Sequence, residues 1–162
     1  VQLPSHVTSI NMMFYAAANF NQDISSWNTS SVTSMTAVFF AAAAFNQNIG
    51  SWDTSHVTDM AQMFLGAVSF NQPLNGWDTS QVTRMDQMFE YARAFNSDIS
   101  NWDLSNVTVA SLMFYSATSF NQPIGAWNTH NLIAADRMFE DAASFNQDLS
   151  DWNVSKDRKS VV

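Results

Sequence analysis

The sequence predicts an α/β repeat solenoid of about six 25-residue coils, each a short strand plus a short helix. Three observations carry that prediction. Tryptophan stands at Trp27, Trp52, Trp77, Trp102, Trp127 and Trp152 and nowhere else, so the step is 25 residues throughout. A Phe-Asn pair returns at the same step, with its asparagine at Asn21, Asn46, Asn71, Asn96, Asn121 and Asn146. Between these markers, Met35, Val38, Phe39 and Ala42 sit at i, i+3, i+4 and i+7, and the other copies repeat the spacing. A period between about 20 and 50 residues marks stacked units that cannot bury an apolar face alone.

Each element follows from local spacing. The i, i+3, i+4, i+7 pattern places its apolar residues on one face of a short helix. Thr33 or Ser34 stands just ahead as N-cap, with Thr8, Thr58, Thr83 and Thr108 in the equivalent places. The segment "QDISSW" has an aliphatic residue three places before tryptophan and imperfect alternation, which is read as a short extended segment. Asn or Asp always follows the tryptophan, and the polar residues after it predict an Asx-initiated turn. Stacking would bring equivalent positions into register about 4.8 Å apart, giving internal ladders of Phe, Ile or Leu, and Trp. The six Trp and six Asn are read as structural ladders, the amides satisfying polar groups between coils. The array is expected to span residues 1–155, followed by a polar, basic tail at 156–162.

Composition narrows the function. The chain is 46% hydrophobic and 14% aromatic, ample for a core, and carries a formal charge of −8. Before the tail only Arg84, Arg93 and Arg137 are basic, so no cationic stripe exists to meet phosphates. Nucleic acid is therefore excluded as a partner. The longest apolar stretch, "MTAVFFAAAAF", stops at Asn46, well short of the roughly 20 residues a membrane span needs, so no membrane insertion is expected. Cysteine is absent, and the sequence contains no HExxH, GxSxG or GxGxxG, which leaves no basis for an enzyme. The start, "VQLPSHVTSI", has the look of an excised piece.

The unit "FNQxxxxWDTSxVTxMxxMFxxAxx" resembles the bacterial surface protein repeat found in mycoplasma lipoproteins, a family related to BspA-type leucine-rich repeats. That resemblance covers essentially the whole chain. It implies a right-handed, leucine-rich-repeat-like solenoid on secreted or surface-anchored proteins, with roles in adhesion or host-protein binding and no catalytic motif. The stretch "NLIAAD" at 131–136 departs from the Val-Thr-x-Met element and puts Ile133 where the cap belongs.

Candidate sites lie where the copies differ. On the outer side of the predicted helix, Tyr15, Phe40 and Leu65 form an apolar strip suited to a partner or to packing within the array. On the predicted strand side, Asp23, Ser25, Asn48, Asn75 and Asp98 make a small, polar, acidic surface suited to hydrogen bonding a protein or glycan. Asp53, Asp78 and Asp103 follow tryptophan in three successive coils; each either accepts its own turn's amides or contributes to a shared Ca²⁺, the only cofactor considered. The expected function is a non-catalytic, extracellular or cell-surface module that binds protein or glycan. The alternatives are a building block that stacks into a filament, layer or stalk through an uncapped N-terminal end, and ice binding through the short ladder of Thr29, Thr54 and Thr79.

Overall fold

A computed structural model describes residues 2–156, so the predicted tail beyond Lys156 lies outside the described residues. Residues 3–152 form six coils of 25 residues, each closing on its tryptophan: coil 1 at 3–27, coil 2 at 28–52, coil 3 at 53–77, coil 4 at 78–102, coil 5 at 103–127 and coil 6 at 128–152. Five parallel single-residue bridges, from Ser9↔Ser34 to Val109↔Ala134, join equivalent positions of successive coils.

The predicted helices do not form. Among the described residues there is no helix, and extended pairing is confined to the single bridges, so the α/β assignment is corrected. Residues 35–42 and their equivalents form a run of overlapping turns. The N–H groups of Phe40 and Ala42 donate to the carbonyls of Ala37 and Phe39, three residues back. The N–H groups between them point out of the coil: Met35, Ala37, Phe39 and Ala41 donate to Asp59, Ala61, Met63 and Leu65 at 2.7 to 2.9 Å. Alternate amides therefore serve the local turn and the next coil.

Spacing explains why this arrangement displaces a helix. Successive rings of the Phe14, Phe39, Phe64, Phe89, Phe114 ladder lie 5.4 to 5.6 Å apart on the turn flank. On the opposite flank the tryptophans repeat at 6.1 and 6.3 Å. Packed helices need about 8–10 Å between axes, so a coil that keeps nearly the same short rise on both flanks has no room for one. The residues of the predicted apolar face are still core, with Met35, Val38, Phe39 and Ala42 fully buried.

The predicted caps and strands are corrected too. Thr33, Thr58, Thr83 and Thr108 each donate their backbone N–H and hydroxyl to the carbonyl 25 residues earlier, making rungs between coils. "QDISSW" turns instead of extending: Ser25 N–H donates to Asp23 Oδ1 and Trp27 N–H to the Ile24 carbonyl. The bridges sit elsewhere, just after the Val-Thr pair.

The Trp and Asn ladders tie coils together. Each Nε1 of Trp52, Trp77, Trp102, Trp127 and Trp152 donates at 3.0 to 3.1 Å to a carbonyl 28 residues back. Asn21 Oδ1 accepts both the Asn46 N–H and Gln47 Nε2, at 3.0 Å each, and Asn46 Oδ1 does the same for Asn71 and Gln72. These asparagine side chains stand at the exposed rim of the core, not within it.

Candidate functional site: a polar hollow across three coils

One hollow of about 510 Å³ crosses coils 1 to 3 on the flank that precedes each tryptophan. Coil 1 contributes Asp23 and Ser25, coil 2 Gln47, Asn48, Gly50 and Ser51, and coil 3 Pro73, Asn75 and Gly76. Its depth comes from missing side chains. A Cβ on Gly50 would stand 2.6 Å from the Pro73 carbonyl oxygen, and one on Gly76 would stand 3.0 Å from the Gly50 oxygen. Glycine thus lets the backbones of coils 2 and 3 close up and leaves the surface above them open.

The polar groups around the hollow are held in fixed directions. Asp23 and Asn48 each form an Asx turn, their Oδ1 atoms accepting the N–H of Ser25 and Gly50 at 2.9 Å. Ser51 Oγ donates to the Ser25 carbonyl across the coil boundary at 3.1 Å. The Ser25 hydroxyl and amide hold the Asp23 carboxyl below the usual aspartate range, so it is an ionised acceptor at neutral pH. Among the described residues, Asn48 Nδ2 and the Asn75 side-chain amide bond to no protein group and are available as donors. No Lys or Arg lines the hollow, while the Pro73 ring gives it one flat apolar patch.

Of the residues predicted as binding, Asp23, Ser25, Asn48 and Asn75 meet here. Asp98 does not; it lies in coil 4 with its Oδ1 on the Ser100 N–H. Tyr15, Phe40 and Leu65 lie outside the hollow, on the turn flank. Tyr15 is 49% exposed and stacks on Phe40 with ring centroids 4.4 Å apart, while Phe40 and Leu65 are half-buried. Sequence reasoning did not single out Gln47, Ser51 or Gly76. Gln47 belongs to the repeated Phe-Asn-Gln string, and the informative signal was variation just before tryptophan: Ser26, Ser51, Gly76, Asn101, Ala126 and Asp151.

Asp53, Asp78 and Asp103 occupy the corner after tryptophan, each with Oδ1 on the N–H two residues ahead, at Ser55, Ser80 and Ser105. Hydrogen bonds from Ser55, side chain before backbone, lower the Asp53 pKa, and those from Ser80, backbone before side chain, lower that of Asp78. Among the described residues no three His, Cys, Asp or Glu side chains gather into a group that could hold a metal ion. Thr29, Thr54 and Thr79 are buried, with hydroxyls donated to the carbonyls of Asp53, Asp78 and Asp103, so that ladder offers no flat array to solvent. No helix among the described residues is long and apolar enough to cross a membrane.

The family model for mycoplasma proteins of unknown function designated DUF285 matches residues 4–93 and again 73–161. The chain belongs to this family. Two overlapping placements of the DUF285 model on one chain agree with the tandem repeat of 25 residues. No curated protein and no solved structure matches this DUF285 chain.

Proposed function

We propose that the chain is a non-catalytic recognition module, displayed at or outside the cell surface, that binds a neutral ligand rich in hydroxyl and amide groups. A glycan suits the hollow best, and an extended peptide is the other member of the protein-or-glycan class. The observation that carries this reading is the convergence of an ionised acceptor, two unengaged amides and serine hydroxyls around one hollow without a cation. Neutral polyols are recognised by such mixed donor and acceptor sets held on a stiff frame. The likeness of the repeat to BspA-type surface repeats supports display outside the cell and an adhesive role.

The test is a glycan and peptide array probed with the wild-type chain and an Asn48→Ala/Asn75→Ala variant. The wild type is expected to retain neutral glycans, and the variant to bind them about tenfold or more weakly, as loss of one or two hydrogen bonds implies. Retention of peptides alone would move the ligand class. An unchanged variant, or no retention at all, would contradict the hollow as the site.

A further inference from the structure

Every internal interface of the stack has the same polarity. On the turn flank four N–H groups of one coil donate to four carbonyls of the next: Ile10, Met12, Phe14 and Ala16 to Ser34, Thr36, Val38 and Phe40, and likewise down to Ala110, Leu112, Phe114 and Ser116 onto Ala134, Asp136, Met138 and Glu140. Coil 1 therefore presents the carbonyls of Asn11, Met13 and Tyr15 with no backbone donor among the described residues. Coil 6 presents the N–H groups of Arg137, Phe139 and Asp141 with no acceptor among the described residues. One end of this chain is a row of acceptors and the other a row of donors, in the same spacing.

The apolar ladders end in the same complementary way. Met13 is 42% exposed, whereas Val38, Met63, Met88, Met113 and Met138 at its position are fully buried, because each is covered by the coil before it. Phe14 and Phe20 are half-buried beside an open hollow of about 350 Å³, and at the far end Phe139, Phe145 and Leu149 are half-buried where inner copies such as Phe45 and Ile49 are closed off. Unpaired edges of this kind template further pairing. Two first coils would set carbonyl against carbonyl, and two sixth coils N–H against N–H, so only unlike ends match.

We infer that a second copy of this chain docks end-on, its sixth coil seated on the first coil of its neighbour in the register of the internal interfaces. Such a head-to-tail contact is heterologous and does not close, so it propagates into linear chains.

Sedimentation velocity over a concentration series tests this with the 162-residue chain and two end variants, Met13→Glu and Leu149→Glu, each first checked for a wild-type far-UV circular dichroism spectrum. Wild type should form species that lengthen with concentration. Each variant alone should be monomeric, and an equimolar mixture should give dimers only, because one intact acceptor end meets one intact donor end. Should Leu149→Glu fail to fold, Met13→Glu alone still decides, since it replaces an already exposed side chain. A wild-type chain that stays monomeric at millimolar concentration overturns the inference. So does a Met13→Glu chain with the wild-type size distribution, or a wild-type dimer that never grows, which would mean like ends pair.

Discussion

At the scale of single residues, the unusual feature is how many side chains accept a left-handed backbone. Each coil carries two such positions four residues apart, as at Ala37 (φ 53°) and Ala41 (φ 53°), and only Gly66 among them is glycine. For residues with a Cβ this region costs roughly 1–2 kcal/mol, which the stack offsets by giving every second amide a partner in the next coil. Replacing Ala41 with glycine is therefore expected to stabilise the chain by about 0.5–1 kcal/mol, after the entropy that glycine adds to the unfolded state. Gly66→Ala should destabilise by about 1 kcal/mol, for backbone reasons alone, since its added Cβ would meet Ala41 Cα at an ordinary 3.5 Å. Paired urea melts would check both, and equal stabilities would contradict the strain. These positions were not readable in the sequence. Met12, Gln62, Leu112 and Arg137 carry none of the Gly or Asn signals by which left-handed turns announce themselves.

At the scale of elements, the turn flank and the Asx corners divide the work. The spacing of Met35, Val38, Phe39 and Ala42 identified buried positions but misassigned their backbone, because a run of overlapping turns also brings such residues to one side. Local periodicity reports which side chains are inside; it does not report whether an amide pairs within the coil or with the next one. The corners were readable, because Asn and Asp in a fixed place after tryptophan have a local partner two residues on. Their chemistry predicts acid sensitivity. Asp23, Asp53, Asp78, Asp98 and Asp148 all have pKa values lowered by hydrogen bonds from the serine two residues ahead. A depressed folded pKa means the unfolded chain binds protons first, so this stabilisation is complete above the unfolded value of about 3.9 and is lost as pH falls through the folded values. The melting temperature should be level from neutrality to about pH 5 and drop below about pH 4. An Asp53→Asn/Asp78→Asn variant should show a shallower drop, since Asn28 already makes the same corner with Ser30 N–H at 3.1 Å. A melting temperature that rises on acidification would contradict the assignment.

At the scale of the whole molecule, the coils form one continuous core from Leu3 to Met138, with ring and indole ladders running along it. The period and the need to stack were evident from tryptophan alone. The rise per coil was not, because it depends on both flanks repeating at 5 to 6 Å at once, which no single copy encodes. The hollow was half readable for the same reason: Asp23, Ser25, Asn48 and Asn75 stood out as variable polar positions, while its shape depends on Gly50 and Gly76 letting neighbouring coils approach. Site and ends alike therefore depend on stacking without helices. The most direct test is NMR detection of scalar couplings across hydrogen bonds from the amides of Met35, Ala37, Phe39 and Ala41. Couplings to the carbonyls of Asp59, Ala61, Met63 and Leu65 in the next coil are expected. Couplings instead to Ser31, Thr33, Met35 and Ala37, four residues back as in an α-helix, would contradict the stack.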